Sequence, residues 1–262
     1  MSDPLISIIT VCYNSSGTLS TTIDSVLSQV YQNVEYIIID GASDDGTVMI
    51  VRSYGSKISK FISEADRGIY DAINKGIALS TGDIVGILNS DDVFYDKHVI
   101  SKVAESFSDN EIDAVYGDAI FVKAGNTARI VRYYSSGAFN PQRFRFGFMP
   151  AHPSFYMRKE FFKKFGNYKT DYKIAADFEL LLRFIYVKKI RYKYIRMPFV
   201  KMRTGGASNR SVLSNIILNR EILRACRENG LRTSYLFIYM KYFFKVFEFF
   251  GSDRKHDKIV NS

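Results

Sequence analysis

Apolar positions along the first hundred residues alternate between continuous runs and helical spacing. Leu5 to Cys12 is an almost unbroken β-branched run, which predicts a strand buried on both faces. Tyr13-Asn14-Ser15-Ser16-Gly17 reads as a turn, and Thr18 to Gln29 then sets Leu19, Ile23, Val26 and Leu27 on one helix face. Val34 to Ile39 predicts a second strand ending at Asp40. The loop Gly41-Ala42-Ser43-Asp44-Asp45-Gly46 follows, then a helix near Thr47 to Tyr54. Phe61 to Ser63 predicts a third strand, Tyr70 to Leu79 a helix, and Ile84 to Leu88 a fourth strand. Alternation this dense implies βαβ units with right-handed crossovers, hence an α/β fold on a mostly parallel sheet flanked by helices.

The second half is less regular. Asp113 to Val122 and Ala128 to Tyr134 predict strands joined by a hairpin at Lys123-Ala124-Gly125-Asn126. Phe139 to Pro153 is aromatic and basic without a period, and is expected to be an active-site loop. Ala176 to Val187 carries Phe178, Leu181, Leu182 and Ile185 at helical spacing, and Tyr192 to Met202 alternates as a strand. After Thr204-Gly205-Gly206-Ala207-Ser208 a helix is expected from about Val212 to Glu228. There is no internal repeat and no low-complexity linker.

Length and charge narrow the classes. At 262 residues the chain fits one large domain, or a domain with an appendage. Cys12 and Cys226 lie far apart with no partner at metal-ligand spacing, which suggests a reducing compartment. Met1-Ser2-Asp3-Pro4 leads straight into the first strand, so no secretion signal is expected. The net charge of +9 is uneven: residues 1–187 hold 19 Lys+Arg against 22 Asp+Glu, and residues 188–262 hold 17 against 5, a net of +12. Such a split points to a partner surface, whether nucleic acid, an anionic membrane face or a phosphate-bearing lipid.

Candidate chemistry sits at strand ends. Asp40, Asp66 and the Asp91-Asp92 pair each fall at or just beyond one. Any of them alone reads as a turn former or helix cap. In a parallel sheet these ends share the edge where open α/β folds bind ligands. Two neighbouring carboxylates repel unless a cation or proton sits between them, and oxygen ligands suit Mg²⁺ or Mn²⁺ bridging a substrate's phosphates. No Gly-x-Gly-x-x-Gly follows the first strand and no Walker-type Gly-Lys-Ser/Thr occurs, which counts against dinucleotide oxidoreductases and P-loop phosphotransferases.

Four segments in order, SIITVCYN (7–14), EYIIIDGASDDGT (35–47), SEADRGIYDAINKGIALSTGDIVGILNSDD (63–92) and HPSFYMRKEFFKKFGNYKTDYKIAADFELLLRF (152–184), cover most of residues 5–208. Together they resemble the family 2 glycosyltransferases of GT-A fold, and most nearly the bacterial enzymes that build polysaccharide or O-antigen repeat units. The resemblance implies metal-dependent, inverting transfer from a nucleotide-sugar donor. It implies that Thr10, Tyr13 and Asn14 border the donor nucleotide, that Asp40 accepts the uracil N–H of a UDP-sugar, and that Asp66, Arg67 and Asn74 line the pocket. Many members have Ala-Arg-Asn where this chain has Ala72-Ile73-Asn74, which leaves Arg67 or Lys75 to stand in for the arginine. Asp91 and Asp92 resemble the DXD-type motif, with Asp92 the expected direct ligand of Mn²⁺ or Mg²⁺ and Asp91 nearer the ribose. Asn89 stands where the family often has Asp.

By the same resemblance Asp177 is the catalytic base. The alternative is that it only caps its helix, with Glu179 simply solvated. His152 is either an acceptor-side or metal-adjacent residue, or a structural histidine; His98 and His256 are expected at the surface. Gly205-Gly206 with Ser208 is either a loop closing over the diphosphate or a plain turn.

Thr233 to Phe250 holds nine aromatics, with Lys241, Lys245 and Glu248 forming one polar stripe. Three charges in a run shorter than about 20 residues argue against a membrane span. An aromatic helix in a basic region reads instead as interfacial on an anionic membrane, or as packed on the catalytic domain or on a second copy in a homo-oligomer. The expected layout is a GT-A-like domain over 1–208, its nucleotide-sugar half about 1–95 and its acceptor half about 96–208, then a basic helical appendage over 209–262. The expected acceptor is a lipid-linked saccharide or oligosaccharide on the cytoplasmic membrane face, with no nucleic acid partner. Alternatives are a sugar nucleotidyltransferase, against which the first-strand loop argues, and a nonenzymatic membrane or nucleic-acid binder, which leaves the acidic crevice unexplained.

Overall fold

The computed structural model describes residues 3–204 and 212–240. The chain begins with the alternation β1 (Ile6–Cys12), α1 (Leu19–Leu27), β2 (Val34–Asp40), α2 (Thr47–Ser53), β3 (Lys60–Ser63), α3 (Ile69–Leu79) and β4 (Ile84–Ile87). Every residue of β1 is buried because its pleat feeds two cores. Ile6 and Ile8 face Leu19, Ile23 and Val26 of α1, while Ile9 and Val11 belong to the layer containing Ile73 and Ile77 of α3. β1 is parallel to β2 and β4, and β2 to β3, so the carboxyl ends of these four strands share one edge.

The sheet continues beyond β4 through shorter and less regular elements. β5 (Val93–Phe94) and α4 (Val99–Ser106) follow β4, before β6 (Ala114–Lys123) and the hairpin strand β7 (Asn126–Tyr134). The expected loop over Phe139 to Pro153 contains 3₁₀ turns at Pro141–Phe146 and, at its end, His152–Ser154. β8 (Phe155–Arg158) and α5 (Glu160–Phe165) come next, then α6 (Ala176–Leu181), which widens into a π turn over Leu182–Val187, and β9 (Tyr192–Arg203). The strand order is β3-β2-β1-β4-β8-β6-β9-β5, with β7 paired to β6. β8 is antiparallel to both β4 and β6, and β6 is parallel to β9, so six of the nine strands run the same way. Gly86 in β4 is required by this join: a β-carbon there would lie 2.2 Å from the Tyr156 ring of β8.

α7 (Val212–Glu228) buries Ile222, Leu223, Ala225 and Cys226 in the same core as α6. Residues 235–240 are again helical. Among the described residues no helix is long and apolar enough to cross a membrane.

Candidate active site

The loops leaving β1, β2 and β4 are laced into one surface at the carboxyl edge. Asn14 adopts a left-handed conformation (φ 48°), which asparagine tolerates. Its amide N–H donates to Ser43 Oγ (2.8 Å) and its side-chain oxygen accepts from the Asp44 N–H (3.1 Å). The Ser15 N–H donates to Thr47 Oγ1 (2.8 Å), and the Ser15 and Ser90 hydroxyls meet at 2.9 Å.

Asp40 lies beneath this lacing with no exposed surface. Its carboxylate accepts from the Ser43 N–H (3.0 Å), Ser43 Oγ (2.5 Å) and Ser63 Oγ (2.7 Å). Asp40 thereby closes an Asx turn and pins the loop. Thr10 is fully buried and accepts from Tyr36 Oη (3.1 Å).

Asp66 is a half-buried carboxylate at the same edge. Its Oδ1 accepts from the Gly68 N–H (2.8 Å), a turn that needs glycine because φ is +116°. Its Oδ2 lies over Gly41: a β-carbon on Gly41 would sit 2.7 Å from that oxygen and 3.4 Å from the Tyr13 ring. Tyr13 is 65% exposed beside it. Arg67 is drawn to Asp71 (2.9 Å) and Lys75 to Glu64 (2.8 Å). Asn74 turns away from this pocket; it grips the Tyr168 backbone, donating to the carbonyl (2.8 Å) and accepting from the N–H (3.0 Å).

Beyond β4, Asp92 is almost wholly buried and accepts from Asn89 Nδ2 (2.8 Å). Burial, reinforced by Asp91, pushes its carboxyl up to about 8 against the opposing pull of Asn89 and Arg203. Arg203, the last residue of β9, donates to the Asp91 carbonyl (2.9 Å) and to Thr21 Oγ1 (2.7 Å). Sequence reasoning missed it; a cation ending a strand beside the glycine loop was the available signal. Among the described residues no cluster of three His, Cys, Asp or Glu side chains forms a closed metal cage. The adjacent Asp91 and Asp92 carboxyls are oxygen donors of the kind that fit a hard divalent ion taking its other ligands from water and a diphosphate.

Asp177 stands in the first turn of α6, half-buried. Its Oδ1 accepts from the Phe178 N–H (2.8 Å) and lies 3.5 Å from the Tyr70 hydroxyl, which donates to the Ile174 carbonyl. Burial raises the Asp177 carboxyl above the ordinary range, opposed by His152 and the local donors. His152 joins this cluster: its Nε2 is 2.7 Å from Tyr168 Oη, and burial holds it toward the neutral form. It is both satisfied and adjacent to the candidate base. Glu179 is not solvated: it has no exposed surface and pairs with Arg183 (3.0 Å) and Lys169 (3.1 Å). His98 is exposed as expected. Gly205, Gly206, Ser208, His256 and the aromatic stretch from Lys241 onward lie outside the described residues.

Tyr70 and Asp66 sit four residues apart in the segment that enters α3, so the stretch of chain that places Asp66 beside Tyr13 also carries the hydroxyl that lies 3.5 Å from Asp177.

The family model for glycosyl transferase family 2 matches residues 7–198. A PGL/p-HBAD biosynthesis glycosyltransferase of Mycobacterium bovis is 28% identical over 228 residues, covering 86% of this chain and 84% of that protein. An uncharacterized glycosyltransferase of Mycobacterium tuberculosis is 32% identical over 186 residues, covering 70% and 69%. TarS of S. aureus in complex with UDP superposes with a TM-score of 0.62 at 18% identity, over 87% of this chain and 67% of that one. The mannosyltransferase PcManGT of Pyrobaculum calidifontis, in complex with GDP-Man and Mn²⁺, gives 0.65 at 18% identity, over 87% and 64%. The chain thus spans about two thirds of the length of these solved structures. Nucleotidyl transfer and nonenzymatic binding give way to these matches: the chain belongs to glycosyl transferase family 2, and it is a glycosyltransferase with a GT-A fold.

Proposed function

We propose that this enzyme moves a sugar from a UDP-sugar to a hydroxyl of a saccharide acceptor with inversion, in bacterial surface polysaccharide synthesis. The observation that supports the reading is the Tyr70–Asp177 contact (3.5 Å), made by the helix whose entry loop sets Asp66 beside Tyr13. The acceptor oxygen attacks the anomeric carbon opposite the diphosphate, its proton passes to Asp177, and the breaking C–O bond leaves its electron pair on UDP. Asp92, with Asp91 beside it, would hold Mn²⁺ or Mg²⁺, which would supply positive charge for the leaving diphosphate. Tyr13 offers a stacking face, Asn14 holds that loop in place, and the Asp66 and Asp40 carboxylates at this edge are the acceptors on offer to the uracil imide.

The acceptor is read as lipid-linked, on the inner face of the cell membrane. Tyr235, Leu236, Phe237 and Tyr239 expose apolar surface, Leu236 at 75%, within the basic C-terminal region. Phe237 packs edge-on against Phe146 (5.5 Å between ring centroids), next to the loop that leads to His152. This supports a membrane seat near the acceptor side.

The test is thermal unfolding with UDP, GDP or dTDP, each with Mn²⁺. A ligand that binds only the native state raises Tm by mass action, so UDP should stabilise and the others should not. Asp66→Asn should weaken the UDP effect. Stabilisation by GDP or dTDP alone would make the uridine reading wrong.

A further inference from the structure

Glu221 of α7 is nearly buried, and its carboxylate receives three consecutive backbone N–H groups from the chain entering α6. Oε1 accepts from Lys173 (2.7 Å), and Oε2 accepts from Ile174 (2.9 Å) and Ala175 (2.9 Å). Charge-assisted bonds of this kind are short and roughly twice as strong as neutral ones. The gripped segment is the one that aims Asp177. The Ile174 carbonyl takes the Tyr70 hydroxyl, the Ala175 carbonyl takes the first helical bond from the Glu179 N–H, and Asp177 follows two residues later. Without Glu221 the three amides lose these acceptors, and the entry keeps the Tyr70 bond to the Ile174 carbonyl and, further upstream, the ties of Lys169, Asp171 and Tyr172 to Glu228 and Arg224.

We propose that Glu221 is a positioning residue for the transfer reaction: α7 reaches across with one carboxylate and fixes the backbone that points Asp177 at the attacking hydroxyl. The inference rests on the reading of Asp177 as the base. Lower on α7, Glu228 provides the contrast. It pairs with Lys169 (2.8 Å), Tyr172 Oη (2.9 Å) and Arg224 (2.6 Å), and touches none of the three amides.

The experiment uses the full chain with MnCl₂ and follows nucleotide release with water as acceptor. The donor is whichever of UDP-glucose, UDP-galactose and UDP-N-acetylglucosamine is hydrolysed fastest. Glu221→Gln should lower kcat by about 10²-fold, the loss that a 1 Å misplacement of a reacting group produces. Donor KM and UDP affinity should stay unchanged, and hydrogen exchange at 173–175 should accelerate, a readout independent of turnover. Glu228→Gln should lower Tm and leave kcat unchanged. Wild-type kcat or wild-type exchange in Glu221→Gln overturns the positioning role. So does a loss spread equally over kcat, donor KM and Tm, which is the mark of general destabilisation. Asp177→Asn distinguishes the premise: if it turns over normally, the base reading falls and the positioning role with it. If it is inactive while Glu221→Gln is fully active, only the positioning role falls.

Discussion

At the scale of single residues, the account rests on two carboxyls. Asp92 is buried beside Asp91, Asp177 is half-buried near His152, and desolvation raises both above the ordinary carboxylate range. A base acts only when deprotonated, and burial raises the Asp177 pKa, so kcat should fall on the acid side above the ordinary carboxylate range. Tyr70→Phe removes a hydroxyl that lowers that pKa and should move the acid limb further up. A pH–kcat profile measures both; a limb at the ordinary aspartate value, or one that moves down in Tyr70→Phe, contradicts the assignment. Which acids sit at strand ends was legible, because each follows an apolar run. Which of them faces the crevice was not: Asp40 and Asp66 are both turn aspartates in sequence, and only the Ser43 and Ser63 hydroxyls decide that Asp40 is sealed. The grip of Asn74 on Tyr168 was not legible either, since that partner lies 94 residues away.

At the scale of elements, the βαβ half was legible because long apolar runs alternate with clear helical spacing. β5, β8 and α5 hold two, four and six residues, too few for either period to show. α4 did carry a signal, Val99, Ile100, Val103 and Ala104 at helical spacing. The amino ends of the early strands are joined by Glu35, which accepts from Ser7 Oγ (2.6 Å), Lys60 Nζ (2.7 Å) and the Thr81 N–H (2.7 Å). Burial alone would raise its carboxyl, but Lys60, Ser7 and Thr81 together lower it to about 2. A lowered acid stabilises the fold above its ordinary value of 4.5, and that stability is lost as pH falls from there toward 2. Glu35→Gln should therefore cost on the order of 2 kcal/mol at pH 7. Urea unfolding should show the gap between variant and wild type shrinking in acid. An equal gap at both pH values contradicts the linkage.

At the scale of the whole molecule, the uneven charge separates a near-neutral catalytic body from a basic carboxyl end. That division was visible in sequence; that α7 is built into the same core as α6 and grips the segment leading to Asp177 was not, because both facts depend on contacts between distant segments. Basic residues near an anionic surface contribute about 1 kcal/mol each, weakened by salt. Full-length protein should therefore co-sediment with anionic liposomes at low salt, and a chain ending near Asn229 should not. Equal binding by both removes the membrane seat. The central claim is that one crevice holds a metal-assisted donor site at Asp92 and a separate base at Asp177. Its most direct measurement pairs calorimetric UDP binding, with and without Mn²⁺, with nucleotide release from a UDP-sugar in Asp92→Ala and Asp177→Asn. The account predicts that Asp92→Ala loses Mn²⁺-dependent binding, while Asp177→Asn binds UDP normally and turns over about 10²–10⁴-fold more slowly. Wild-type turnover in Asp177→Asn, or unchanged Mn²⁺-dependent binding in Asp92→Ala, would contradict it.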